Sequence, residues 1–360
     1  MSNVVKINNL PVPTWRWLKV NDKNVQLPDS VNALSPNMNL AKAAEIRENG
    51  LSRADYETGL GADFDRYIND LGLKASVIAK KAGDTDPEYT WIKYNSDADS
   101  AAVLDLVAEE GSVLNVFIYY TGFEGAAGLS DIRIYAAEKE TVNLVEVFRL
   151  DKTATFYSNI GTKLARKAGF NLSQIVVSGD DINLGVVTDM IGDKSTHNID
   201  LGYLRADESD LDVNYVARQR GKLTESHMMA GGALKGFAKK TFRGTIDFIH
   251  GCADSKGEVR DNVLLLSPDT VNRTVPLILC AEENVEGEHG ASIGKVSDDE
   301  LFYFNSRGIP EEVASEMLAA SKLEAVAGRI NDSRVREYVL SRVCRKCDEE
   351  DRKCILDGNE

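Results

Sequence analysis

The chain has 360 residues, of which 43% are hydrophobic, and a formal charge of −15 at pH 7. That charge argues against nucleic acid or an anionic membrane as the main partner, because both reward clustered Lys and Arg. The longest apolar run, Val113–Tyr120, falls short of the ~20 residues that span a bilayer. The opening MSNVVKINNLPVP has no basic stretch ahead of an apolar core, so a cytoplasmic location is expected.

In chain order, Pro11 and Pro13 alternate with Trp15 and Trp17. This predicts an extended opening pinned to the body by its tryptophans. Helical patterning covers Asn39–Asn49 and Ala62–Leu71, the latter with Phe64, Tyr67 and Ile68 on one face and Gly72 as its stop. Residues 1–100 therefore read as a mainly helical region with strands near Tyr89–Tyr94. From Ala101 the texture becomes short strands separated by Gly, Asn and Asp. Candidates are Val113–Tyr120, Asp131–Ala136, Val142–Leu150, Gln174–Ser178, Ile199–Arg205, Leu211–Val216, Thr241–Ile249, Val263–Leu266 and Val275–Cys280. The last two are apolar on both faces, as in strands buried on both sides. Leu164–Ala168 looks briefly helical. Such spacing fits a sandwich, a barrel or a solenoid, and pattern alone does not choose among them. Gly221, Gly231, Gly232, Gly236 and Gly244 suit chain corners or close backbone approach. They do not form a phosphate loop, since no GxxxxGK[ST] is present.

Helical signals return after residue 296. Ser297 with Glu300 makes a capping box, Gly308 ends that helix, and Pro310 with Glu311 and Glu312 opens the next. Val313, Met317, Leu318, Val326 and Ile330 form an apolar stripe, and a further helix runs from Ser333 towards Cys344. Packing on the β core, with part of the stripe left for a partner, is the expectation. The domain reading is thus 1–100, 101–296 and 297–360.

Chemistry-bearing residues are few. His289, flanked by Gly287 and Gly290, is a candidate metal ligand, because neutral imidazole binds iron or zinc and glycine admits close approach. Strand geometry would put Glu288 on the opposite face. His250 and Cys252 form an HxC pair that fits a turn as well as a site, and Cys280 reads as a core residue. Ser226-His227 has no orienting acid in view. The tail CRKCDEEDRKC places Cys344, Cys347 and Cys354 on one helical face beside basic residues. Three thiols fall short of the usual four metal ligands, so a zinc or cluster role would need a ligand from another chain.

Between Asn214 and Ile309 the chain resembles the SufB/SufD family of iron–sulfur cluster assembly scaffolds. The likeness is carried by NYVARQRGKLTESHMMAGGALKGFAKKTFRGTIDF, GEVRDNVLLLS, PLILCAEENV, EHGASIG and LFYFNSRGI. The order HGA-x-x-G, then Tyr-x-x-x-Arg-Gly-Ile, is similar to SufD more than to SufB. The resemblance implies a right-handed parallel β-helix core flanked by N-terminal and C-terminal α-helical regions. It also implies a non-catalytic scaffold that pairs with a SufB-like subunit or with itself and docks a SufC-like ABC-type ATPase. His289 would then face the subunit interface, touching iron or a nascent cluster transiently, with no tightly bound cofactor. Many relatives carry Cys two residues before this His, where this chain has Gly287, so thiolate ligation from that position does not carry over. Other readings of the residues are a β-helix enzyme acting on carbohydrate, or a zinc- or redox-binding interaction protein working through the tail.

Overall fold

The structure, a computed structural model, describes residues 3–14 and 16–343. Cys344, Cys347 and Cys354 lie outside the described residues. The chain opens with β1 (Val4–Ile7), β2 (Lys23–Gln26), β3 (Asn32–Ala33), β4 (Asn37–Asn39), β5 (Ala44–Arg47) and the helix α1 (Ala62–Asp70). Sixteen strands follow. They are β6 (Ser76–Lys80), β7 (Tyr89–Ser96), β8 (Ser100–Ala108), β9 (Val113–Gly122), β10 (Ala127–Ala136), β11 (Thr141–Leu150), β12 (Thr155–Leu164) and β13 (Gly169–Ser178). Then come β14 (Asp181–Met190), β15 (Thr196–Arg205), β16 (Asp210–Gln219), β17 (Glu225–Leu234), β18 (Lys239–Phe248), β19 (Ser255–Leu265), β20 (Val271–Cys280) and β21 (Val285–Lys295). Three helices, α2 (Asp298–Ser306), α3 (Glu311–Ala327) and α4 (Ser333–Val343), end the described chain.

From β6 onward, even-numbered strands stack in one sheet and odd-numbered strands in the other. Neighbours within each sheet are parallel, as with β10 on β12 and β11 on β13. One even and one odd strand make a coil, and about eight coils make a parallel β-solenoid. Parallel pairing in register keeps equivalent side chains in columns. On the outer face of the odd sheet, Asn143 donates to Asn115, 28 residues earlier, at 2.7 Å. Asn171 and Asn198 extend this amide ladder at 2.8 Å per step.

The core fills the space between the sheets. Leu144, Leu172, Ile199, Met228 and Val259 form one inward column, each essentially sealed from solvent. Burial of each such side chain contributes about 1.5–3 kcal/mol before entropy is set against it. Gly232 and Gly244 lie inside strands rather than at corners. A Cβ on Gly232 would meet the Tyr203 carbonyl at 2.3 Å, and one on Gly244 would meet Val259 at 2.7 Å across the lumen. At the actual corners Lys139, Lys167, Lys194, Leu223 and Asp254 adopt positive φ alongside Gly111. Leu164–Ala168 is such a corner and not a helix.

The N-terminal region departs from its helical expectation. Asn39–Asn49 holds the antiparallel strand β5 and the end of β4, which pair with β6 and β7 and close the first end of the solenoid. Tertiary pairing overrode local helix patterning there. Ala62–Asp70 is helical as the pattern requires, with Phe64 and Ile68 buried and Gly72 at φ 62°. Of the two tryptophans expected to pin the opening, Trp17 is 72% exposed and Trp15 lies outside the described residues. A polar node fixes the opening in its place. Asn8 donates to Asp212 at 2.6 Å, and the buried Arg243 binds Asp212 at 2.7 Å and the Val20 carbonyl at 2.5 Å.

The C-terminal helices follow the sequence closely. The Ser297–Glu300 capping box forms, and Gly308 takes φ 77° before α3. Leu323, Val326, Ala327 and Ile330 bury against Phe117, Val145 and Ile175 of the odd sheet. Tyr338 of α4 stands edge-on to Trp91 and Phe117, each at 5.4 Å.

Candidate functional site at the open end of the solenoid

The two ends of the solenoid are built differently. Antiparallel strands close the first end, whereas among the described residues nothing pairs with the outer edges of β20 and β21. The apolar strand β20, expected to be buried on both sides, is half-exposed along its length. β21 is exposed at nearly every position, and its Ile293 is 60% exposed. Both are terminal rungs, so the space that a next coil would cover is open.

His289 sits on this last rung. Its register partner is the buried Val259, so it continues the apolar column that runs through Met228 and Ile199, yet it is itself exposed. Glu288 pairs with the outward-facing Glu258, on the opposite face as expected. A shallow recess of ≈260 Å³ beside the rung is lined by Glu258, Arg260, Asn262, Glu288, His289 and Ser292. A Cβ on Gly287 would lie 3.1 Å from the Phe248 side chain and 3.2 Å from that of Ile278, a tight approach where the two sheets converge.

One layer below, a buried ion pair underlies the opening. Lys240 and Asp261 have side chains 0% and 1% exposed. The Lys240 ammonium donates to Asp261 and, at 3.3 Å, to Tyr203 Oη. Burial lowers the Lys240 pKa, with Asp261 opposing the shift. Thr274 of the terminal rung also donates to Asp261. Sequence reasoning did not single out this pair, because a Lys beginning one strand and an Asp within the next carry no local signal of contact.

The other sequence candidates resolve as follows. His250 lies in a turn, its Nδ1 3.8 Å from Glu282. Cys252 is buried, and burial raises its thiol pKa. Cys280 is exposed rather than core, because it ends the terminal rung, and its thiol contacts the Glu282 carbonyl at 3.0 Å. Ser226 points inward and is buried, while the side chain of His227 faces out to Glu258 at 3.4 Å, so the two form no dyad. Among the described residues no three His, Cys, Asp or Glu side chains stand together as a metal site. No described helix is long and apolar enough to cross a membrane. A second recess, ≈440 Å³, follows β2 and contains Asp99, Asp181 and Tyr157. Its carboxylates have structural partners: Asp99 accepts from the Ala127 amide at 2.7 Å, and Asp181 binds Lys23 at 2.6 Å.

The family model "SUF system FeS cluster assembly, SufBD core domain" matches residues 93–322, from β7 into α3. The chain belongs to the SufB/SufD family. Among curated relatives it is 31% identical over 126 residues to the iron–sulfur cluster assembly protein SufD of Bacillus subtilis, covering 35% of this chain and 29% of that one. It is 24% identical over 261 residues to SufB of the same organism, covering 72% and 49%. A SufBD family protein of Staphylococcus saprophyticus is 31% identical over 101 residues, covering 28% and 22%. The chain thus matches less than half the length of each of these relatives. Membership ties the solenoid to the SUF system, and the core match takes in the whole stack from its second odd strand to the open end.

Proposed function

We propose that this protein is a SufD-like, non-catalytic scaffold subunit of the cytoplasmic iron–sulfur assembly machinery. The observation that carries the reading is the uncovered last rung, where an exposed imidazole continues an otherwise apolar inward column. In this reading a SufB-like subunit, or a second copy of this chain, covers β20 and β21. His289 then contributes one ligand to iron or a nascent cluster held across the seam. The cluster is cargo, and the remaining ligands come from the other subunit.

The C-terminal helices would dock a SufC-like ATPase. The apolar stripe divides in support of this: Val326 and Ile330 are buried, whereas Val313 and Met317 are 44% and 52% exposed. Phe302 and Tyr303 of α2 add 74% and 54% exposed aromatic surface. Clustered exposed apolar side chains mark interaction surfaces more often than isolated ones do.

The test is an anaerobic pull-down of the chain with SufB-like and SufC-like proteins, with iron and sulfide analysis of the complex. His289→Ala should leave the complex intact and lower its iron and sulfide. Met317→Asp should release the ATPase alone. Unchanged iron and sulfide with His289→Ala refutes the ligand role. Failure of the wild-type chain to hold either partner refutes the scaffold reading.

A further inference from the structure

Inside the lumen lies a carboxyl group that has no cation beside it among the described residues. Glu146 enters from β11 and is fully buried. Tyr120 of β9 donates to its Oε1 at 2.9 Å, and Gln174 of β13 donates to its Oε2 at 2.6 Å. Ser158 of β12 lies 3.3 Å from both oxygens. Around this shell, Tyr215 of β16 donates to Gln174 Oε1, and Ser130 of β10 lies 2.9 Å from Tyr120 Oη. Tyr94 of β7 stacks on Tyr120 at 5.5 Å.

Every polar group turned towards Glu146 is therefore a hydroxyl, phenol or amide. Among the described residues no Lys, Arg or His forms an ion pair with it. Of the other buried acids, Asp105 and Asp131 have Arg53, Asp212 has Arg243 and Asp261 has Lys240, whereas Glu140, at the corner before β11, forms no ion pair among the described residues and accepts from the amide and the hydroxyl of Ser112. A buried carboxylate without a cation is costly, and such a group tends to keep its proton.

The surrounding hydroxyls can serve either charge state. With Glu146 ionised, Ser130 donates to Tyr120 and Tyr120 donates to the carboxylate. With Glu146 protonated, its O–H donates to Tyr120 Oη and Tyr120 donates to Ser130 Oγ. Hydroxyl hydrogens rotate freely, so the same heavy-atom distances satisfy both directions.

We propose that Glu146 is a proton-binding site of the folded solenoid, with the Ser130–Tyr120–Glu146 chain reversing direction as the proton arrives. Burial supports this by lifting the carboxyl to about 7, against the donors Gln174, Tyr120 and Ser158, which lower it. Between the ordinary carboxylate value and about 7 the folded chain holds a proton that the unfolded chain has released. The folding constant therefore falls with rising pH through that window, by up to about tenfold per pH unit, and this contribution levels off above it.

The test compares urea unfolding of the full chain with that of Glu146→Gln, which keeps shape and polarity but cannot titrate. The wild-type-to-variant ratio of folding constants should fall by up to about tenfold per unit between about pH 5 and 7, then flatten. Infrared spectroscopy of the wild type should show the carbonyl stretch of a protonated, buried carboxylic acid at about pH 6 that fades with base. Tyr120→Phe should shift that band by removing its hydroxyl partner. A flat ratio, or no acid band at about pH 6, overturns the proposal. If Glu146→Gln fails to fold, the wild-type infrared titration and the Tyr120→Phe band shift decide together, and a band that Tyr120→Phe leaves unmoved overturns the proposal.

Discussion

Replacing Lys240 by Met keeps length and volume but removes the ammonium from beneath the open end. That charge is fully buried, bound to Asp261, and lies 5.3 Å from the Tyr203 ring and 5.7 Å from the Phe242 ring. Its loss leaves Asp261 buried with Thr274 as its remaining side-chain donor, while Asp261 Oδ1 already has no partner. Breaking a buried pair from one side costs about 3–5 kcal/mol, whereas replacing both partners with apolar groups is often near neutral. Lys240→Met should therefore lose about 3–5 kcal/mol, and Lys240→Met with Asp261→Leu should recover most of it. Urea denaturation with linear extrapolation, run as a double-mutant cycle, measures both values. A single-variant loss below about 1 kcal/mol, or a double variant as unstable as the sum of the singles, would refute the stranded-charge argument.

Three further outcomes follow from the geometry. His289→Ala should change stability by no more than about 0.5 kcal/mol, because the imidazole is exposed; thermal denaturation checks this and separates ligation from folding. Gly59→Ala should cost about 3 kcal/mol or more, since its Cβ would lie 1.8 Å from the Val186 backbone nitrogen, and limited proteolysis should then cut the N-terminal segment faster. His197 is buried without a hydrogen-bond partner, and burial lowers it to about 3. Its folded value is below its unfolded one, so stability falls as pH drops from about 6.5 towards 3. Removing the imidazole with His197→Phe should flatten that acid limb in urea titrations, and an unchanged slope would count against it.

Much of the fold could be read from individual residues. Strands such as Val142–Leu150 and the Ser297–Glu300 cap announced themselves because their signals are local: alternation in one case, a three-residue spacing in the other. Strand β14 went unseen because its apolar residues are interrupted by Gly185, which is there to let Gly59 approach, and by the buried polar Asn183 and Thr188. The repeat was hidden as well. Its spacing drifts from 27 residues at Asn198–Asn171 to 31 at Thr224–Ser255, and no motif recurs from coil to coil. His289 stood out through its glycine neighbours, but its exposure depends on which rung is last, a property of the whole stack. Glu146 gave no signal at all: both faces of its strand are apolar, Leu144 and Phe148 on one and Val145 and Val147 on the other, so alternation does not say which face turns to the lumen.

The unequal ends also limit how large an assembly can grow. Parallel strands with bare edges at both ends could add copies indefinitely into a filament, as any unclosed head-to-tail contact can. Here the first end finishes in β4 and the four-residue β5, which carries Glu45 and Arg47 and runs against the grain of the stack. Short charged edges of that kind resist further pairing. A partner at β20 and β21, as proposed, would therefore meet no equally bare edge at the other end, and growth into a filament is disfavoured before any regulator is needed.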